Sequence, residues 1–271
     1  MRFIFSILFT ISTLYGFCQN IKVGKKDSLY IKIDTVDEKK IKKKSVQFNN
    51  IKINLYSLFV RNYSFYFERS ISRKITAQIG FRYQPYSYLL DNVVAKQLLK
   101  DKIVQSDLYD FKTNNSSFTL DLKYYPGKKG AGKGFYTGIY GRYTILDLDD
   151  VDYVYQSKSD DIYHVPLFSR LKGIGGGILL GYQFLIKKRI SVDIYIIGGH
   201  YGIWNGSINS KKDLFGLSDD EKTDLKEKIE NLYTLFGRKY ANVNVSNIGV
   251  SGNISGPFWG TRSGISLGIS F

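Results

Sequence analysis

The chain has 271 residues, with 39 Lys and Arg against 24 Asp and Glu, a formal net charge of +15 and a mean hydropathy of -0.20. Its single cysteine, Cys18, offers no disulfide framework and no cysteine-based metal site. Beyond the N-terminal stretch no run approaches the ~20 apolar residues of a membrane helix, whereas 22 Tyr, 18 Phe and 26 Gly beside 4 Pro suit the short alternating strands of a transmembrane β-barrel.

The first residues, MRFIFSILFTISTLYGFCQN, set Arg2 before an uncharged apolar run, with the small residues Gly16 and Cys18 two apart. This pattern predicts a signal peptide over 1–18, and with it export. Lipidation of Cys18 is the second reading, and the bulky Phe17 in front of it argues against that. Residues 19–50 carry nine lysines against four acids and read as a polar periplasmic tail.

From residue 51 to 271 the pattern changes to period two, the signature of strands. Eight alternating segments are expected: about 51–59, 63–69, 75–85, 117–125, 134–146, 172–186, 190–202 and 258–271. One face of each is apolar, such as Phe118, Leu120, Leu122 and Tyr124, or Ile174, Ile178, Leu180, Tyr182 and Phe184. Short connections (SRK, GKKGAGKG, KKR) alternate with long ones (86–116, 147–171, 203–257). Outer-membrane barrels join an even number of strands by short periplasmic turns and long extracellular loops. The expected fold is therefore all-β: an eight-stranded antiparallel transmembrane β-barrel, periplasmic at both ends of the chain. The closing GISLGISF would then turn Ile265, Leu267, Ile269 and Phe271 to lipid and pair with the first strand, leaving no edge.

The segments from Asn54 to Tyr83, Ser116 to Tyr143 and Gly173 to Gly202 resemble small outer-membrane β-barrel proteins of an uncharacterised OmpA/OmpX-like group in Gram-negative bacteria. A Tyr66-Phe67-Glu68-Arg69 turn, and Tyr125-Pro126-Gly127 followed by Gly134-Phe135-Tyr136, are the most suggestive pieces. The resemblance implies architecture and no activity. The terminal Phe271, with Ile269 and Leu267, also resembles the signal read by the machinery that inserts such barrels. Lipids of the outer membrane, lipopolysaccharide, the insertion machinery and an unknown surface partner are the expected contacts. Nucleic acid is not, despite the basic charge.

Alternation aims Lys52, Glu68, Arg82, Asp121, Lys123, Arg142, Asp193 and Arg262 into the lumen. Charges of both signs there predict a paired polar plug, with the glycines of GIGGGILLG making room for Tyr136, Tyr140 and Tyr195. GKKGAGKG nearly matches a phosphate loop, but a strand follows where a helix is needed, so it reads as a hairpin turn. Asp147 to Tyr153 clusters carboxylates without the spacing of a calcium loop. His164 falls in that acidic loop, and His200 near the outer rim. Some such barrels deacylate lipid A with a Ser/His/acid site, but Gly202 stands where the serine would be. No catalytic, cofactor or metal residue is assigned.

One insertion differs in kind. Ser218 with Glu221 forms a capping box, and Leu225, Ile229, Leu232 and Phe236 recur at helical spacing up to Gly237, a natural C-cap. The spacing predicts an amphipathic helix over 218–236, as a lid on the barrel mouth or a docking element for a partner. The function expected is non-enzymatic, a barrel presenting extracellular loops. A small-solute pore and a lipid A-modifying enzyme are the alternatives.

Overall fold

The computed structural model describes residues 48–59, 61–88, 112–187, 189–235 and 237–271. The expected signal peptide and nearly all of the tail lie outside them. The period-two segments form β1 (Asn49–Asn54), β2 (Tyr63–Ser70), β3 (Ile75–Tyr88), β4 (Lys112–Tyr124), β5 (Gly134–Gln156), β6 (Ile162–Ile186) and β7 (Ile190–Lys211). After an insertion the chain returns as β11 (Gly249–Thr261) and β12 (Gly264–Ser270). These two make one strand path, interrupted at Arg262 and Ser263, and both pair antiparallel with β7. Consecutive strands pair as antiparallel neighbours, β12 pairs with β1, and β6 with β7. The lower parts of these strands therefore close into a ring in which each has a neighbour on both sides.

One row of paired residues shows how it closes. Leu267 faces Ile53, then come Phe65, Phe81, Phe118, Tyr143, Ile174 and Ile203, and the row ends on Pro257. It returns to its starting strand path at 257 rather than 267. The ring is sheared, and its strands are therefore tilted. From Leu267 to Ile203 every side chain in that row is exposed on the outside.

Several elements depart from the sequence reading. The first strand spans 49–54, not 51–59. Leu55–Phe59 form a short helix, α1, because the Asn54 side chain accepts from the Ser57 amide and starts a turn. Tyr66–Arg69 is strand, not turn; the chain reverses at 71–74. The acidic segment 147–171 is not a loop. β5 and β6 run through it to a tight turn at 157–161. A bulge between Leu148 and Val151, with Asp150 at φ 59, breaks the alternation there and hides it from a pattern search. β7 likewise continues to Lys211, so the last insertion begins later than position 203. GKKGAGKG is a turn with Gly130, Gly132 and Gly134 at positive φ, leading straight into β5.

The insertion holds α2 (Asp219–Leu232), β8 (Thr234–Leu235), β9 (Arg238–Lys239) and β10 (Ala241–Ser246). Ser218 and Glu221 form the capping box. The helix ends at Leu232 with Tyr233 as its C-cap, not at Gly237, because Tyr233 turns into the core and hydrogen-bonds Ser169. Gly237, at φ +77, instead turns the β8–β9 hairpin. Phe236 lies outside the described residues.

Candidate functional site

The ring has two interiors. In its lower part every strand path contributes polar side chains to one buried network. Lys52 Nζ meets Glu68 Oε2 and Asp193 Oδ2 at 2.5 Å each. Lys123 Nζ lies 2.7 Å from Asp193 and donates to Gln78 Oε1 at 2.9 Å. Gln78 donates to Asp121, which takes two hydrogen bonds from Arg262 at 2.7 and 2.9 Å. Tyr136 donates to Asp193, and Thr76, Tyr125 and Gln183 all donate to Glu68. The three cations (Lys52, Lys123, Arg262) balance the three carboxylates (Glu68, Asp121, Asp193). Ions stripped of water are tolerated only on such terms. Arg262 also lies 4.6 Å from the ring centre of Tyr195.

Gly181 faces this network because a Cβ there would lie 2.3 Å from the Tyr136 hydroxyl. Small and large residues thus interlock across the lumen. At the lower end Phe48 packs against Gly132, and the Ala131 amide donates to the Arg73 carbonyl. Arg82 and Arg142 sit higher, on the wall of a cavity of about 30 Å³ above the network.

The polarity then inverts. Along β5 the outward residues change from Phe135, Ile139 and Tyr143 to Asp147, Asp149 and Asp152, while the inward ones change from Tyr136 and Arg142 to Leu146, Leu148, Val151 and Tyr155. β6 changes outside between Ile174 and Lys172, and β7 between Ile203 and Asn205. Ile145, Lys172, Asn205 and Ser255 are neighbours in register, so the switch happens at one level across four strands. Above it lies an apolar core that includes Leu167, Leu171, Trp204, Ile208, Val243 and Ile254, closed by Leu225 and Ile229 of α2, both 0 % exposed. Leu232 packs at its edge.

Polar contacts lock α2 down. Tyr155 donates to Asp224 at 3.0 Å, and the Lys158 amide donates to Glu221 at 2.8 Å. The Lys158 amide, with the amide and hydroxyl of Ser218, holds the Glu221 carboxyl below its ordinary value of 4.5. A salt bridge from Lys228 and the Tyr155 hydroxyl lower that of Asp224. A depressed carboxyl stabilises the fold above its unfolded pKa and loses that contribution as pH falls through the folded one. Protease protection of the 212–248 segment is thus expected to weaken below about pH 4.5, while Glu221→Gln removes part of that acid sensitivity. An acid response unchanged in Glu221→Gln would show that this anchor is not the titrating group.

The histidines lie apart. His164 Nδ1 is 2.6 Å from Asp152 on the outer face of the upper sheet. His200 is buried, 3.0 Å from the Tyr140 hydroxyl and edge-to-face with Phe258. It faces inward because a bulge leaves both Ile196 and Ile197 outside and reverses the alternation of β7. Neither imidazole has a serine hydroxyl as hydrogen-bond partner among the described residues. Asp147 is held by Arg170 at 2.6 Å, and among the described residues no group of His, Cys, Asp or Glu is arranged to hold a metal ion.

Residues 33–225 match the family described as Protein of unknown function (DUF3575). The chain belongs to this family. No curated protein matches it. Among solved structures it is similar to a major outer membrane protein from Thermus thermophilus, with 12% identity, a TM-score of 0.43, and coverage of 83% of this chain and 98% of that one.

Proposed function

We propose that this DUF3575 protein is an eight-stranded transmembrane barrel of the outer membrane, OmpA/OmpX-like in architecture, with a plugged lumen and a folded cap that it presents outside the cell. The observation that carries this reading is the inverted polarity of the lower ring. Its outside is apolar on every strand path and its inside is ionic. That arrangement is ruinous in water and appropriate in lipid. On β5 the apolar outer run from Phe135 to Tyr143 matches the roughly nine residues that a tilted membrane strand needs. Tyr63, Tyr83, Tyr143 and Tyr201 are exposed towards its upper limit, as interfacial aromatics are.

Above that limit the protein returns to the polarity of a soluble domain. The strand extensions and α2 form the cap, whose outer face carries Asp147, Asp149, Asp152, Arg170 and Lys172. An outer groove of about 720 Å³ at the rim, lined by Tyr201, Trp259 and Arg238 among others, combines rings and a cation suited to lipid or lipopolysaccharide headgroups. The role is structural or interactive, not enzymatic. Phe271, Ile269 and Leu267, all exposed, serve as the signal to the insertion machinery.

Orientation tests this reading. Lys158→Cys, at the cap, should react with an impermeant maleimide on intact cells. Lys129→Cys, in the turn at the opposite end, should react only after the outer membrane is permeabilised. Labelling of neither site on intact cells, or of Lys129→Cys first, would overturn it.

The buried network also bears on the pore alternative. Lys52, Glu68, Asp121, Lys123 and Asp193 are all 0 % exposed, which leaves no water path at their level. Purified protein in planar bilayers is expected to give no stable conductance. Reproducible single-channel steps would favour the pore.

A further inference from the structure

Above the neutral network the interior has charge to spare. Arg262 is committed to Asp121, and the three cations of the network already match its three carboxylates. The Arg142 side chain has no ion pair and no hydrogen bond among the described residues; its guanidinium lies 5.8 Å from the ring centre of Tyr140, and its Nε is buried without a partner. It lines the 30 Å³ cavity together with Arg82, Ser64 and Thr119. The hydroxyl oxygens of Ser64 and Thr119 are likewise buried without a partner, in residues only 1 % and 5 % exposed. Hydroxyls rotate to donate, and guanidinium N–H groups only donate. The cavity therefore collects donors and positive charge, and nothing on its described wall accepts from Arg142.

We propose that this cavity is a binding site for a small inorganic anion, with a halide such as chloride as the fitting member of the class. Water alone would satisfy the hydroxyls but would bring no counter-charge to Arg142, whose Nε is buried. An anion compensates the charge and accepts from all three groups through charge-assisted hydrogen bonds. A water needs roughly 10–15 Å³ on this measure, so the cavity has room for a monatomic ion. The site lies inside the ring, so the inference does not depend on which membrane, or which face of it, the protein occupies.

The test uses purified full-length mature protein in detergent. Its melting temperature is followed against chloride or bromide, with gluconate keeping the ionic strength constant. The expected result is a saturable rise in wild type and none in Arg142→Met. Ser64→Ala combined with Thr119→Val keeps the arginine and should weaken the half-saturation roughly ten-fold or more. That variant decides the matter if Arg142→Met fails to fold. Crystals grown with bromide should show an anomalous peak beside Arg142. A halide-independent melting temperature in wild type, an undiminished response in the double variant, or a larger response to phosphate than to chloride would each overturn the proposal.

Discussion

Asp193→Leu is expected to destabilise the protein by about 3–5 kcal/mol, the largest effect of any single substitution in the lower ring. Asp193 accepts from Lys52, Lys123 and Tyr136 at 2.5, 2.7 and 2.6 Å. Removing it leaves two ammonium groups, both 0 % exposed, sharing Glu68 alone. Lys123→Met in the same chain restores the balance of charge. The double variant should therefore be more stable than Asp193→Leu by itself, although it lacks more contacts. Urea unfolding in lipid vesicles, read by the fluorescence of Trp204 and Trp259, measures both. Simple additivity of the two substitutions would show that they are energetically independent, and the charge-balance account would fail.

The second large effect is expected at the cap. Ile229 is 0 % exposed, in a core shared with residues of β5, β6, β7, β10 and β11. Ile229→Ser replaces a buried branched chain by a hydroxyl without a designed partner. The loss of packing alone is worth about 2–5 kcal/mol. Because the cap core is separate from the ionic network below, the damage should stay local. Limited trypsin digestion is expected to open the 212–248 segment at Lys222, Lys226 or Lys228, while the lower ring remains resistant. Glu227→Ser, on the exposed face of α2, is the matched control and should change nothing. Equal protection in the two variants would mean that the helix does not act as a lid. Its stripe would then have to be assigned to a partner.

The sequence by itself determined where the chain alternates and which side chains fall together on one face. Eight strand paths, the polar inward set from Lys52 to Arg262, and the capped helix starting at Ser218 all follow from local rules: a period of two, a period of 3.6 and one capping box. These are short-range properties, because the direction of a side chain depends on the few residues that set its strand or helix. Counting inward residues also placed charges of both signs in the lumen, five cations against three carboxylates, so a paired polar plug was the expectation before any distance was known.

Tertiary structure decided the rest. Alternation survives a bulge on each side of it but not across it. The bulges at Leu148–Val151 and Ile196–Ile197 therefore hid both the strand character of the acidic segment and the inward direction of His200. Periodicity also carries no sign of its own. It states that two faces differ, not which of them meets lipid, water or core. That is why the change of apolar face at Ile145, Lys172 and Asn205 did not, along any one strand, say which face was the outside. It emerges when register sets three distant positions at one height, and the surroundings then assign apolar residues to the outside below that level and to the inside above it. The pairing of Arg262 with Asp121, and the absence of such a partner for Arg142 among the described residues, are likewise products of closure. They depend on strands far apart in sequence meeting across a ring, and no local rule fixes which charge will find which.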